Sequence, residues 1–263
     1  MRTVFLLAHQ DDEVFVLPRI SLEIAASRSV FCVFLTGAGT ALSRRRRRES
    51  TRVLLGLGVT ADQLWFLGDE LEVPDGRLVE RAADVVRSLM NRLGQESVEA
   101  IYAPAWEGGH QDHDACCWIA DRLACGFVVR PNVMQFPLYH GECLLSGFYH
   151  VMLPLIRQRK RVVSRRLSWR EVLRVIVALP AYRTQLVTWL GLAPGLLWRL
   201  VSLRREVFIP LEVGELERPP HDGILLYERW GRMRAEDFTR EMQRQEGLIR
   251  DALGRPVAAR SQL

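Results

Sequence analysis

The chain has 263 residues, of which 48% are hydrophobic and 25% charged, a composition typical of a globular protein with one large domain or two small ones. The net charge is +5, and the basic residues are nearly all arginine, because Lys160 is the single lysine. We therefore attribute the excess of arginine to coding bias in preference to nucleic-acid binding. The five cysteines are odd in number and irregularly spaced, which excludes a zinc finger and favours reduced thiols in a cytoplasmic protein.

The most apolar stretches do not predict a leader or an anchor. The N-terminal apolar run is too short for a signal peptide and has no cleavage site of small residues. Residues 186–198 are apolar but shorter than the ~20 residues that a membrane span needs. We therefore expect no transmembrane segment.

Five apolar runs in the first half of the chain predict strands, at residues 3–8, 29–35, 63–67, 100–103 and 133–139. Helical patterns follow the first four runs, over residues 12–26, 44–57, 78–93 and 112–124. Pro18 predicts a kink in the first helix, and Pro137 predicts that the fifth strand lies at the edge of the sheet. The alternation predicts an α/β fold, a Rossmann-like three-layer α/β/α arrangement with a mostly parallel sheet.

The pattern changes after residue 145. Residues 148–205 predict arginine-rich helices, and strands at 206–210 and 224–230 precede a charged helix over 235–253. We expect residues 1–210 to form one domain, with a helical lid or insertion over about 148–205, and residues 211–263 to form a C-terminal extension packed on that domain. The arginine-rich helices also fit a membrane-facing surface, so peripheral membrane contact stays open beside the substrate lid.

Two short motifs follow predicted strands and carry the chemistry. Residues 8–13 are Ala-His-Gln-Asp-Asp-Glu, after the first strand, and residues 110–113 are His-Gln-Asp-His, after the fourth. Parallel strands end at one edge of the sheet, where open α/β folds bind ligands, so the motifs should meet there. One imidazole and one carboxylate from the first motif, with one imidazole from the second, make the three-ligand set of catalytic zinc.

Other interpretations of these motifs have to be weighed. Acidic residues at a helix start favour capping and the helix dipole, which explains either motif alone. Capping does not explain why both motifs contain histidine and both follow strands. Histidine and aspartate ligands also suit Fe²⁺, Mn²⁺ or Co²⁺, so Zn²⁺ is favoured but not required.

At these residues the sequence resembles the PIG-L/LmbE-like family of metal-dependent N-deacetylases, whose motifs are Ala-His-Pro-Asp-Asp-Glu and His-Pro-Asp-His. Both prolines are glutamine here, Gln10 and Gln111. Three weaker features of the family have counterparts in this sequence. They are an Arg/Glu pair (Arg46 and Glu49), a Tyr-x-x-Gln segment (residues 182–185) and a Glu-x-Phe segment (residues 206–208).

The resemblance implies a role for each residue of the two motifs. His9, Asp12 and His113 would hold the metal. Asp11 would be the general base, and His110 the general acid and oxyanion stabiliser. Asp112 would orient His110. The implied substrate is an N-acetylglucosamine-type sugar carried on a second moiety such as an inositol, a lipid or an aglycone.

Further residues are candidates for substrate contact. Trp106 and Glu107 lie in the loop before His110, where a sugar could stack or bind, and His140 follows the fifth strand. A structural role is the alternative for each of them. Within the arginine run 44–48, which lacks interleaved aromatic residues, we expect Arg46 to face the substrate and do not expect nucleic-acid binding.

The leading hypothesis is a zinc-dependent N-deacetylase in which Asp11 activates water and His110 protonates the leaving amine. One alternative is a metal-dependent hydrolase of another bond, such as a phosphoester, for which a second metal would be expected. Another is a non-catalytic sugar- or metal-binding module. Asp11 and His110 favour the enzyme, because metal binding alone requires neither. The oligomeric state is left open.

Overall fold

Seven strands form the central sheet of the computed structural model, which describes residues 1–94, 96–143 and 149–253. The strands in chain order are β1 (Arg2–Leu7), β2 (Ser29–Phe34), β3 (Leu64–Phe66), β4 (Val98–Pro104), β5 (Asn132–Phe136), β6 (Tyr139–His140), β7 (His150–Val151), β8 (Val163–Arg166) and β9 (Arg205–Pro210). The order in the sheet is β3-β2-β1-β4-β5-β9-β8, and β6 pairs separately with β7. β1 to β5 pair in parallel, whereas β9 and β8 add antiparallel strands.

Helices cover both faces of the sheet. In chain order they are α1 (Leu17–Ala25), α2 (Ala41–Leu57), α3 (Leu67–Glu70), α4 (Ala82–Leu93), α5 (Gln111–Gly126), α6 (Trp169–Ala178), α7 (Leu186–Trp198), α8 (Leu226–Arg229) and α9 (Ala235–Leu253). Alternate β1 side chains point to opposite faces: Val4 and Leu6 pack with α4, α5 and α9, whereas Phe5 and Leu7 pack with α1, α6 and α7. The predicted three-layer arrangement with a mostly parallel sheet is therefore confirmed.

Two predictions about prolines were wrong. β5 ends at Phe136, before Pro137, and it lies between β4 and β9 rather than at the edge. Pro18 does not kink a long helix. A 3₁₀ turn (Asp12–Phe15) comes first, and Pro18 falls in the first turn of α1, where its missing N–H costs no hydrogen bond.

Two predictions about the later part of the chain were also wrong. Residues 224–230 contain α8 instead of a strand, because consecutive buried side chains suit one helical turn as well as a short strand. Residues 148–205 include β7 and β8 besides helices. Among the residues described, no helix combines the length and apolarity that crossing a bilayer demands.

Candidate functional site

The two motifs meet at one edge of the sheet. β1 and β4 are adjacent and parallel, so residues 8–13 and residues 110–113 leave the sheet side by side. Just before the second motif, the backbone of Gly109 lies against the backbone of Tyr139, since a side chain at Gly109 would collide with the Tyr139 carbonyl. His110 caps α5, because its Nδ1 accepts a hydrogen bond from the Asp112 N–H at 3.1 Å.

The three predicted metal ligands form one buried cluster. His113 Nε2 lies 3.2 Å from Asp12 Oδ1 and 3.2 Å from His9 Nδ1. One donor atom from each residue falls within 4.8 Å of the other two. Two imidazole nitrogens and a carboxylate oxygen that face one point suit a divalent transition metal. The residues fit the metal that the motifs predict, and their role as ligands stays a prediction.

Charges around the cluster favour a cation at its centre. Burial opposes ionisation of Asp12, but His113 and His9 outweigh it and hold the pKa of this carboxyl well below its usual range. Burial likewise opposes protonation of His9, but the carboxylates of Asp75, Asp112 and Asp12 outweigh it and raise the His9 pKa. A metal ion at this point would therefore compete with a proton for His9.

The carboxylate of Asp112 contacts His9, and only its backbone N–H contacts His110, which corrects the orienting role that the resemblance implied for this side chain. Its fully buried carboxylate accepts a hydrogen bond from His9 Nε2 at 3.1 Å through Oδ2. The same carboxylate accepts from the backbone N–H groups of Gly76 at 2.6 Å and Leu78 at 3.0 Å. A carboxylate behind a ligating histidine fixes its tautomer and ring orientation, so Asp112 is placed to position His9.

Asp11 adjoins the cluster in a strained backbone conformation. Its φ of 134° is rare for a residue other than glycine. Glu13 is fully buried and holds this conformation, since its Oε2 accepts from the Asp11 N–H at 2.9 Å and its Oε1 accepts from the Tyr182 hydroxyl at 2.9 Å. Burial raises the pKa of Glu13 to about 7.

The side chain of Asp11 is suited to accept a proton. Burial, and then the neighbouring Asp12, raise the pKa of Asp11, which makes it a stronger base. Its carboxylate caps no helix. It also accepts no hydrogen bond within the described residues, so it is available to an incoming molecule.

His110 presents an N–H donor beside the cluster. Its ring centroid lies 4.6 Å from that of His9. Because Nδ1 accepts the Asp112 N–H, the proton of the neutral ring is assigned to Nε2. Burial, and then the nearby His9, lower the pKa of His110 to about 3, so this ring is neutral at pH 7. Arg232, between α8 and α9, places its guanidinium against the same Nε2. Two N–H donors cannot bond to each other, so an oxygen that enters beside them could accept from both.

Trp106 and Glu107 are core residues, so their predicted contact with a sugar is wrong. Trp106 is 4% exposed, and its indole N–H donates to the Arg218 carbonyl at 2.9 Å. Glu107 is fully buried, and its Oε1 accepts the N–H groups of Leu138 and Tyr139, both at 2.8 Å. These bonds brace the loop that carries the second motif.

The other two substrate candidates differ from each other. His140 is fully buried, its Nε2 donates to the Leu153 carbonyl at 2.8 Å, and its role is structural. Arg46 lies at the edge of the site, where its Nη1 is 3.7 Å from Asp75 Oδ2. Arg46 therefore stays a predicted substrate contact.

Sequence reasoning missed Asp75. Its half-exposed carboxylate lies 3.3 Å from His9 Nε2, and with His9, His110 and Asp112 it forms a second group of potential metal ligands. We favour the first group, because both oxygens of Asp112 already accept backbone hydrogen bonds. The Pro-Asp-Gly turn at residues 74–76, after the third strand, was a signal for a loop at this edge.

An aromatic wall was also missed. The rings of Tyr139, Tyr149 and Trp230 lie 5.8 to 6.3 Å apart, and Tyr139 is 5.4 Å from the His113 ring. Trp230 and Arg232 reach the site from the C-terminal part of the chain, far from either motif. No local sequence pattern predicts that these two residues belong to the site. Aromatic faces of this kind suit the apolar faces of a sugar ring.

Known proteins share this fold, and a known family matches part of this sequence. Residues 4–124 match the sequence model of the family described as PIG-L: GlcNAc-PI de-N-acetylase. A triple mutant of a deacetylase of teicoplanin biosynthesis is similar in structure, with a TM-score of 0.58, 15% identity, and coverage of 80% of this chain and 97% of that one. N,N'-diacetylchitobiose deacetylase from Pyrococcus horikoshii gives 0.57 at 16% identity, covering 80% of this chain and 83% of that one.

A structure with different chemistry is also similar. The 4-carboxy-2-hydroxymuconate hydratase from Pseudomonas putida has a TM-score of 0.50 at 16% identity, covering 81% of this chain and 97% of that one. At such identities these structures establish the fold alone. No curated protein matches the sequence. The match over residues 4–124 confirms the resemblance to the PIG-L family of N-deacetylases that the two motifs predicted.

Proposed function

We propose that the protein is a metal-dependent hydrolase that removes the acetyl group from the amide nitrogen of an N-acetylglucosamine-type sugar in a glycoconjugate. The observation that carries this proposal is the convergence of both motifs on one buried cluster, with Asp11 and His110 beside it. The deacetylases with a similar fold act, by their names, in teicoplanin biosynthesis and on N,N'-diacetylchitobiose, which supports an acetylated sugar here.

His9, Asp12 and His113 would hold the metal, with Zn²⁺ favoured over Fe²⁺, Mn²⁺ or Co²⁺. When bound, the metal would supply Lewis-acid polarisation of the acetamide carbonyl and increase the acidity of water. Asp11 would take the proton of the attacking water, since its carboxylate is free and its pKa is raised.

His110 Nε2–H would donate a hydrogen bond to the oxygen of the tetrahedral intermediate. The departing amine cannot leave as an anion and needs a full proton, so His110 would act as the general acid after taking up the proton that Asp11 removes from the water. Arg232 would supply a second donor to the same oxygen. The aromatic wall of Tyr139, Tyr149 and Trp230 would hold the sugar ring beside these groups.

Acetate release from a panel of N-acetylated sugars and glycoconjugates tests this proposal. We expect one metal ion per chain, hydrolysis that a chelator abolishes and Zn²⁺ restores, and phosphoester substrates that remain intact. Asp11→Ala should retain the metal while turnover falls by about 10² to 10⁴, the usual contribution of a general base. Metal binding without acetate release from any acetylated sugar would overturn the proposal and leave a hydratase or a binding module.

A further inference from the structure

Helix α7 exposes a row of large apolar side chains. Leu186, Leu190 and Trp198, spaced along one side of the helix, are 58%, 78% and 71% exposed. The other side is buried in the core through Trp189, Leu192 and Leu196. No charged residue occurs within α7. A helix that exposes a row of large apolar side chains opposite its buried side is typical of a surface that binds a protein or a membrane.

The exposed apolar surface continues past α7. Val201 and Leu203, in the π-helix Arg199–Leu203, are also exposed. The guanidinium of Arg204 then stacks 4.5 Å above the ring of Trp169, which is exposed at the start of α6. We call Leu186, Leu190, Trp198, Val201, Leu203 and Trp169 the α7 face.

The charge of the segment that carries the α7 face is almost all positive, and Arg199 and Arg204 lie within or beside that face. Residues 156–205 contain eleven arginines and one lysine but a single acidic residue, Glu171. In the described part of the chain, only Arg161 and Arg165 of these cations form ion pairs with carboxylates. A partner that accepts apolar side chains between so many unpaired cations has to be anionic.

The α7 face adjoins the candidate active site. The residue before α7, Gln185, donates through Nε2 to the Gln10 carbonyl at 3.4 Å, and Tyr182 donates to Glu13. Tyr149, part of the aromatic wall, packs against α7 at Gly191, where a side chain would clash with its hydroxyl. Whatever covers the α7 face therefore lies next to the mouth of the site.

We propose that the α7 face docks the protein on a bilayer with anionic headgroups, with α7 lying in the interface and the flanking arginines on the lipid phosphates. The active site would then open toward the membrane, where an N-acetylated sugar on a lipid carrier is within reach. This choice of substrate rests on the proposed function, whereas the docking itself does not.

Two other occupants fit the surface less well. In a symmetric dimer through this face, the cations of one copy would oppose those of the other. The helix α9, which leads to the C-terminus, packs with α4 on the opposite face of the sheet. An anionic bilayer satisfies both the apolar and the cationic parts of the surface.

Co-sedimentation with vesicles tests the docking. The protein should pellet with vesicles of phosphatidylcholine and phosphatidylglycerol, should pellet much less with phosphatidylcholine alone, and should be partly released by high salt. Leu190→Glu should weaken partitioning by about tenfold, the loss expected when one leucine no longer leaves water. Leu248→Glu on α9 is the matched control, because Leu248 is exposed on the other side of the molecule, and it should bind normally.

Several results would overturn the docking proposal. They are no vesicle binding, equal binding to both vesicle types, or unchanged binding of Leu190→Glu. A dimer in sedimentation that Leu190→Glu converts to a monomer would instead assign this face to a second copy. Leu190→Glu should keep the wild-type turnover on a water-soluble acetylated sugar. If no sugar is deacetylated but vesicle binding still depends on Leu190, the proposed function fails while the docking stands.

Discussion

Substituting Asp112 by asparagine separates two roles for this carboxylate. The resemblance implied that Asp112 orients His110, whereas the Asp112 carboxylate contacts His9. Asparagine has the same shape but no charge. Oδ2 accepts from His9 and Gly76, and Oδ1 accepts from Leu78, so an amide –NH₂ must face at least one N–H donor in either orientation.

The size of the effect follows from these contacts. Loss of the anion behind a ligating histidine costs 10- to 100-fold in metal affinity in other metal sites, which is about 1.4 to 2.8 kcal/mol. The mismatched donor in the buried site costs about a further 1 to 3 kcal/mol in the stability of the metal-free protein. We therefore expect the dissociation constant for Zn²⁺ to rise 10- to 100-fold in Asp112→Asn, as measured by competition with a chromophoric chelator.

Asp114→Asn is the matched control. Asp114 lies in the same helix and is fully buried, but its Oδ1 accepts only the backbone N–H groups of Glu107 and Gly108, and its Oδ2 has no partner within the described residues. An amide fits this site, so metal affinity should stay unchanged. If Asp112→Asn binds Zn²⁺ as tightly as the wild type while its turnover falls, Asp112 acts on His110 and our reasoning is refuted.

Three other substitutions test separate parts of the site. Tyr182→Phe removes the hydrogen bond to buried Glu13, so it should lower the free energy of unfolding in urea titrations by about 1 to 3 kcal/mol and reduce turnover. Tyr227 is equally buried, and Tyr227→Phe should leave both the stability and the turnover unchanged. Burial raises the pKa of Glu107 from 4.5 to about 8, so its stabilising contribution is present below pH 4.5 and is lost as the pH rises to about 8. Glu107→Gln should flatten this decline in urea titrations at several pH values, whereas substitution of exposed Glu236 by glutamine should leave the slope as it is. Arg232→Ala should lower kcat more than it raises KM in steady-state acetate release, because its proposed contact forms with the tetrahedral oxygen, and an effect on KM alone would assign it to substrate binding.

The buried part of the sheet could be predicted from the sequence because buried parallel strands are continuously apolar. β1, β2 and β4 were each found within one or two residues, and so was β9. Prediction from the sequence failed where a short apolar run was compatible with both a strand and a helical turn. Residues 224–230 form the turn of α8, because the Leu226 N–H donates to the Gly108 carbonyl at 2.8 Å, a tertiary contact that no local pattern encodes.

The candidate site could be predicted only where its residues are local in sequence. The two motifs contain the three-residue cluster, Asp11 and His110, and the rule that parallel strands share an edge brings the motifs together. Asp75, Trp230 and Arg232 come from separate loops and meet the site only through packing. The partner of the Asp112 carboxylate was misassigned for a related reason: the backbone N–H of Asp112 faces the capping His110 ring, and the carboxylate reaches His9 and the loop opposite.

Gln10 connects these observations. Proline at this position would fix φ without any contact, but glutamine does not, so the loop before the strained Asp11 has to be held from outside. Gln10 Nε2 donates to the Thr36 carbonyl at 2.9 Å, and the Gln10 carbonyl accepts from Gln185. Each bond is worth about 0.5 to 1.5 kcal/mol, comparable to the strain of about 1 to 3 kcal/mol that they offset together with Glu13. The position of the proposed base therefore depends on the segment that leads into α7, and anything that shifts α7, including a bilayer at the α7 face, acts on that base.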